Sequence, residues 1–184
     1  MIVGANMPWQ SIDTESGLIL PWFTTPCLEW LKKQDISRWV IMEFGCGYST
    51  IWFRLNCLMI YSVENNPSWA RAMGANLEEE KEDYITKAKF YTSTLESIIT
   101  RQLKKAEGEQ HEFDCIIIDG AWRLECLQNS FDRVRQGGYI IIDNFGQEDF
   151  PYTKEAEELL AEWEKQLFKQ PNHSKWITAV FRKP

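Results

Sequence analysis

Short hydrophobic runs recur along the chain, and longer stretches rich in charged and helix-forming residues separate them. The runs lie near residues 38–43, 58–63, 88–92, 113–118, 139–142 and 176–182. Short apolar runs of this kind are typical of buried parallel strands, and their alternation with helices favours a sheet covered on both faces. The pattern therefore predicts an α/β fold with a doubly wound, mostly parallel sheet.

Helices are predicted between these runs, and the N-terminal segment differs from the rest. The predicted helices follow Ser49 and cover about 67–80, 95–106, 123–135 and 153–166, and Gly137 and Gly138 are expected to end the fourth. The first 37 residues contain three prolines among several tryptophans, which favours an irregular arm with one helix near 25–34. We expect residues 1–37 to form an arm that packs on a single domain spanning residues 38–184.

Composition limits the classes of function. The chain has 184 residues and a net charge of −7, so it lacks the basic surface that a nucleic-acid partner requires. The sequence shows neither a membrane-length apolar run nor a signal pattern, so we expect a cytoplasmic protein without a membrane partner. Five cysteines without a C-x-x-C pair, and only two histidines, favour reduced thiols over a zinc site. A homodimer is compatible with these properties.

Two acids close the first two apolar runs, and a glycine loop follows the first of them. The first run ends at Glu43 and is followed by Gly45 and Gly47, and the second run ends 21 residues later at Glu64. Glycines allow the backbone to turn sharply and to approach a ligand closely. A carboxylate at the end of the second strand can accept hydrogen bonds from ribose hydroxyls. The pattern predicts a nucleoside-containing cofactor, but the missing third glycine disfavours a dinucleotide such as NAD.

The pattern Glu43-x-Gly45-x-Gly47 resembles the first motif of the class I (Rossmann-like) S-adenosylmethionine (AdoMet)-dependent methyltransferases. The resemblance extends over residues 38–184 and implies a seven-stranded sheet, AdoMet as cofactor and methyl transfer as the activity. In that family the glycine loop lies beside the amino-acid part of AdoMet, and the second acid holds the ribose. Ser93 and Thr94 would contact adenine or cap the following helix. The implied cofactor-binding residues are Glu43, Gly45, Gly47, Ser49, Glu64, Asn65, Ser93, Thr94 and Asp119.

Two later runs also end in acids, and these resemble a metal site. Asp119 and the pair Asp143-Asn144 match residues that bind a divalent cation, usually Mg²⁺, in catechol and caffeoyl-coenzyme A O-methyltransferases. Those enzymes carry a lysine where this chain has Trp122, and their glycine loop is two residues longer. These departures favour metal-independent relatives. We therefore predict Asp119 and Asp143 as catalytic carboxylates without a metal, with Mg²⁺ on all three side chains as the alternative.

The resemblance is nearest to the small-molecule O-methyltransferases and implies a small-molecule acceptor, methylated at oxygen. The residues predicted to bind this acceptor are Trp22, Trp122, Arg123 and Asn144. One alternative is a non-catalytic AdoMet-binding or partner protein of the same fold. Another is an enzyme related to the aminopropyltransferases, or one that binds NAD.

Overall fold

The computed structural model describes Gly17 and residues 20–78, 88–92, 112–148 and 150–184. Two predictions fall outside these residues. They are the adenine contact or helix cap at Ser93 and Thr94, and the helix near residues 95–106.

A seven-stranded sheet forms the centre of the molecule. Its strand order is β3-β2-β1-β4-β5-β7-β6. The pairs that join β1 to β5 are parallel, whereas β7 is antiparallel to both β5 and β6. The prediction of a doubly wound, mostly parallel sheet of seven strands is confirmed. The strands are β1 (Val40–Phe44), β2 (Met59–Glu64), β3 (Ala88–Thr92), β4 (Phe113–Ile118), β5 (Val134–Ile142), β6 (Glu164–Gln170) and β7 (His173–Arg182).

Side chains alternate between two hydrophobic cores, one on each face of the sheet. In β1, Met42 and Phe44 belong to one core and Ile41 to the other, as the two-residue repeat of a strand requires. The second core also includes apolar side chains from residues 20–36, which the sequence places in the N-terminal arm. The described α-helices are α1 (Thr25–Leu31), α2 (Tyr48–Asn56), α3 (Pro67–Glu78), α4 (Arg123–Gln128) and α5 (Thr153–Leu159), and a short 3-10 helix covers Phe131–Arg133. None of the helices described here is long and apolar enough to cross a membrane.

The C-terminal third departs from the predicted helices in two places. The helix predicted over 123–135 ends at Gln128, and β5 begins at Val134 and continues through Gly137 and Gly138. The helix predicted over 153–166 ends at Leu159, and residues 164–170 form β6 instead. That strand lies at the edge of the sheet with mostly exposed side chains, so its sequence lacks the apolar run of a buried strand. The sequence feature that marks the hairpin of β6 and β7 is Pro171-Asn172, since both residue types favour turns. In the structure Asn172 has a left-handed backbone conformation, with a φ of 65°.

Candidate active site

A pocket of about 380 Å³ opens where the carboxyl ends of β1, β4 and β5 meet. Ligands of open α/β sheets bind outside the carboxyl ends of the strands, so this is the expected place for a functional site. Its volume lies within the range of small-molecule sites. The described lining residues are Trp22, Cys46, Gly47, Tyr48, Ser49, Trp69, Asp119, Arg123, Asp143, Asn144 and Trp176.

The two glycines of the loop after β1 serve different purposes. Gly45 has a φ of 96°, and a Cβ placed on it would lie 2.6 Å from the Cα of Gly120. Glycine is therefore required at position 45, because the backbone there packs directly against the backbone of Gly120. Gly47 lines the pocket, and a Cβ there would meet nothing closer than the Ser49 hydroxyl at 4.0 Å. Of the two, Gly47 is the one that leaves space for a ligand.

Glu43, at the end of β1, is fully buried beneath the glycine loop. Its carboxylate accepts hydrogen bonds from Ser49 and Thr50, each at 2.5 Å, and from Ser62. Burial raises the pKa of Glu43 to about 7, although the three hydroxyl donors favour the charged form. Glu43 is absent from the described pocket lining, so it reaches the pocket only through Ser49. Glu43 therefore links α2 to β2 beneath the glycine loop.

Glu64, at the end of β2, also binds the protein itself. Its carboxylate accepts hydrogen bonds from the backbone N–H groups of Cys46, at 3.1 Å, and Asn66, at 2.7 Å. The carbonyl of Cys46 in turn accepts a 2.6 Å hydrogen bond from the Trp69 indole. Glu64 and Trp69 therefore hold the same residue of the glycine loop, Cys46, one through its N–H and the other through its carbonyl. Asn65, predicted to lie near adenine, is exposed.

Arg123 joins the residues that follow β4 and β5. Its guanidinium donates to the carbonyls of Gly120, Asp143 and Asp119, at 2.9, 2.6 and 3.3 Å. It also donates to the Asp119 carboxylate at 3.1 Å and to Asn144 Oδ1 at 3.2 Å. These five bonds equal the five N–H groups of an arginine side chain. Arg123 therefore positions the strand ends, and its predicted contact with the substrate finds no remaining donor.

Asp143 is the more deeply buried of the two predicted catalytic carboxylates. It accepts a 2.7 Å hydrogen bond from the Thr178 hydroxyl, while the side chain of Asp119 is 26% exposed. Burial, together with the negative charge of Asp119, raises the pKa of Asp143 to about 8, although Thr178 and Arg123 act in the opposite direction. Both acids line the pocket, so the structure brings the predicted pair together.

Aromatic side chains form much of the pocket wall. Trp22 and Tyr48 pack with their ring centroids 5.6 Å apart, and Trp69 and Trp176 also line the pocket. The indole nitrogens of Trp22 and Trp176 are buried and find no hydrogen-bond partner among the described residues. Trp122, by contrast, is 43% exposed and absent from the described lining. The structure thus places Trp22 as predicted but leaves Trp122 outside.

Asp119, Asp143 and Asn144, the residues suggested for Mg²⁺, lie close together, but the Arg123 guanidinium is hydrogen-bonded to two of them. Arg123 donates both to the Asp119 carboxylate and to Asn144 Oδ1, two of the oxygens that an ion would need. Among the described histidines, cysteines, aspartates and glutamates, no three are placed so that they could hold a metal. As arranged here, the three side chains do not fit a divalent cation.

Sequence reasoning missed four residues of the pocket: Cys46, Tyr48, Trp69 and Trp176. Cys46 and Tyr48 were available from their position in the glycine loop. Trp69 follows Glu64 by five residues near the start of α3, but a tryptophan inside a helix is more often a packing residue. Trp176 lies in β7, whose start reaches the pocket only because that strand runs antiparallel to β5.

Known proteins share this architecture. No protein-family model and no curated protein matches the chain. Among solved structures, an O-methyltransferase from Bacillus cereus in complex with S-adenosylhomocysteine is 20% identical, with a TM-score of 0.63 and coverage of 83% of this chain and 78% of that one. The O-methyltransferase TomG from Streptomyces achromogenes, in complex with AdoMet, is 16% identical, with a TM-score of 0.62 and coverage of 80% and 74%.

A third structure, a precorrin-6y C5,15-methyltransferase from Geobacter metallireducens, is 15% identical, with a TM-score of 0.58 and coverage of 85% and 84%. At this level of identity the similarity defines the fold. The chain has the class I AdoMet-dependent methyltransferase fold, and the small-molecule O-methyltransferases are among its structural neighbours.

Proposed function

We propose that this protein is an AdoMet-dependent methyltransferase that transfers a methyl group to a hydroxyl oxygen of a small molecule. One observation carries the proposal: Gly47, Asp119 and Asp143, which follow three different strands, meet at a single pocket of about 380 Å³. An open glycine beside two carboxylates suits a cationic cofactor with an acceptor next to it.

The residues of the pocket fit AdoMet. Gly47 leaves the loop open to a ligand, and the partly exposed carboxylate of Asp119 can pair with the ammonium group of the cofactor. Glu64 is outside the described lining, but it bonds to Cys46, which does line the pocket, and its carboxylate oxygens would have lone pairs left for the ribose hydroxyls. Bound AdoMet supplies a methyl group that its sulfonium already activates for transfer, so the protein has mainly to align the acceptor and exclude water.

Asp143 is the proposed proton acceptor. Its raised pKa makes it a stronger base than an ordinary aspartate, and an effective general base has a pKa near the working pH. The Thr178 hydroxyl and the Arg123 bond to the Asp143 carbonyl hold the residue in place. With AdoMet bound, the cofactor would supply the methyl group to the acceptor oxygen, and Asp143 would take the proton of that hydroxyl.

Oxygen as the acceptor atom is supported by the names of two structural neighbours. The Bacillus cereus protein and TomG are both O-methyltransferases, whereas the precorrin enzyme belongs to another class of methyltransferase. The pocket volume suits a small molecule. These observations favour a small hydroxyl compound as the partner.

Two measurements test this proposal. In calorimetry, AdoMet and S-adenosylhomocysteine should bind with one site per chain, and NAD should show no saturable binding. Incubation of the protein with AdoMet and a collection of small hydroxyl compounds should then yield S-adenosylhomocysteine in an acceptor-dependent manner. Tight NAD binding would contradict the cofactor assignment. Binding of AdoMet without turnover across a broad collection would instead favour the non-catalytic alternative.

A further inference from the structure

Oxygen atoms converge at the carboxyl ends of β4 and β5, and the Arg123 guanidinium lies among them. It donates to five of them: the backbone carbonyls of Asp119, Gly120 and Asp143, the Asp119 carboxylate and Asn144 Oδ1. The five donor–acceptor distances are 2.6–3.3 Å. Only 9% of Arg123 is exposed, so protein oxygens replace most of the water that would otherwise surround this charge.

A cluster of carbonyl, carboxylate and amide oxygens is also what a hard metal ion binds. Mg²⁺ and Mn²⁺ take oxygen ligands of these kinds. The three residues that resemble the metal ligands of catechol and caffeoyl-coenzyme A O-methyltransferases each supply at least one oxygen to Arg123, Asp143 through its carbonyl and Asp119 and Asn144 through their side chains. The guanidinium and the ion that the resemblance suggests would therefore draw on the same strand ends.

Two properties allow the guanidinium to take this place. Its five N–H groups match the five oxygens, so no donor is left over. Its positive charge is permanent, since arginine stays protonated in proteins, and it pairs with the Asp119 carboxylate at 3.1 Å. A metal ion could reach these oxygens only if Arg123 gave up its bonds, because two cations at one place repel each other.

We propose that Arg123 is the built-in cation of this site and fills the place of a divalent metal ion, so that the guanidinium and a metal exclude each other. The inference deepens the proposed function and rests on it for the meaning of the site in methyl transfer. Its direct consequence is a latent metal site. A variant without the guanidinium should bind an ion that the wild-type protein does not bind.

Binding of Mn²⁺ alone tests this consequence, measured by the electron paramagnetic resonance signal of the free ion. Arg123→Ala should bind one Mn²⁺ per chain at least about tenfold more tightly than the wild type does, since it leaves buried oxygens and the Asp119 charge uncompensated. A second substitution, Asp119→Asn, should remove the gained site. Arg123→Lys should gain no site, because its ammonium group keeps a cation in place.

Arg135→Ala is the matched control, because it removes the same charge from another aspartate. The described bonds of Arg135 go to the Asp114 carboxylate, at 2.5 Å, and to the Gln136 carbonyl, at 2.9 Å. Its replacement leaves fewer oxygens than that of Arg123, so Mn²⁺ binding should stay at the wild-type level. A gain in Arg135→Ala equal to that in Arg123→Ala would overturn the inference, because the effect would then be one of net charge alone.

Two other results would also contradict the inference. One is a folded Arg123→Ala variant without added Mn²⁺ binding, and the other is a Mn²⁺ site in the wild-type protein that Asp119→Asn abolishes. If Arg123→Ala does not fold, the wild type and Arg123→Lys still decide: a Mn²⁺ site that depends on Asp119 in either protein overturns the inference, and its absence from both supports it.

The titrations with Mn²⁺ require neither AdoMet nor an acceptor, which separates this inference from the proposed function. Failure of AdoMet to bind would overturn the proposed function and leave the Mn²⁺ result standing. If AdoMet binds but Arg123→Ala gains no Mn²⁺ site, only the role of Arg123 as the cation of the site is wrong.

Discussion

Four acids end strands of the sheet, and they fall into two pairs with different surroundings. Glu43 and Glu64, in the last residues of β1 and β2, direct their carboxylates to hydroxyl and backbone N–H donors of the protein. Asp119 and Asp143, after β4 and β5, line the pocket. The comparison shows that an acid at the end of an apolar run can be placed at the carboxyl end of the sheet from sequence. Whether its carboxylate contacts a ligand depends on which loop packs against it.

The glycine loop accounts for the difference. It turns back over β1 and β2, so that the Cys46 N–H reaches Glu64 while Ser49 and Thr50 of α2 reach Glu43. The first pair therefore holds the loop in shape. The loop also meets the residues after β4, where Gly45 contacts Gly120, yet Asp119 and Asp143 both line the pocket.

The largest expected effect is on catalysis by the second pair. Asp143→Asn should lower kcat by roughly 10²–10⁴-fold, since it removes the proposed proton acceptor but keeps the Thr178 contact. AdoMet affinity in calorimetry should stay near the wild-type value. In the wild type, activity should rise with pH up to about 8, because the base must lose its proton first, and the variant should lose this rise. A variant that retains full activity would remove Asp143 from the chemistry.

The next effect is on stability and concerns the first pair. Glu43→Ala leaves three buried hydroxyls without their acceptor, and each unsatisfied group costs about 1–3 kcal/mol. We expect a loss of about 3 kcal/mol or more in the free energy of unfolding, measured by urea denaturation at pH 7. Glu43→Gln, which keeps an acceptor oxygen, should lose less. Wild-type stability in Glu43→Ala would mean that the hydroxyl contacts do not hold the loop.

Glu64 tests whether one acid can serve both the loop and the cofactor. Glu64→Ala should weaken AdoMet binding by roughly ten- to a hundredfold, since charge-assisted hydrogen bonds contribute about 1.5–3 kcal/mol. Calorimetry measures the loss. Arg71→Ala in α3 serves as a control with an exposed side chain, whose described bond is to Ser68. Unchanged affinity in a folded Glu64→Ala variant would limit Glu64 to the loop.

The two glycines provide the smallest and most local test. Gly45→Ala should destabilise the fold by about 1–3 kcal/mol, because its Cβ would meet the Gly120 backbone at 2.6 Å and its φ is 96°. Gly47→Ala should change stability by about 0.5 kcal/mol or less yet weaken AdoMet binding. Thermal melting and calorimetry on both variants check the contrast. Equal destabilisation by the two substitutions would contradict the separate roles assigned to these glycines.

Much of this architecture could be predicted from the sequence because each buried strand corresponds to an apolar run. The strands that contain Glu43, Glu64 and Ile118 were predicted within about two residues at each end. The exposed edge strand β6 lacks such a run, so its charged residues favoured a helix. The positions of Asp119 and Asp143 in the pocket follow from the rule on strand ends.

The sequence could not show which side chains form hydrogen bonds with each other in the folded protein. Arg123 matched the pattern of a substrate ligand, but the number of oxygens around it is a property of two strand ends brought together in the fold. Trp122 was in a promising loop, yet its left-handed backbone conformation, with a φ of 52°, accompanies a side chain that lies outside the described pocket lining. Pairings of this kind depend on tertiary geometry and leave no local signal.

A crystal structure of the protein with S-adenosylhomocysteine tests the central claim most directly. The account predicts the amino-acid part of the ligand beside Gly47, with its ammonium group within hydrogen-bond distance of Asp119, and the ribose towards Glu64. The sulfur should lie near Asp143. Ligand density elsewhere on the protein, or a ligand in the pocket that contacts neither Gly47 nor Asp119, would contradict the account.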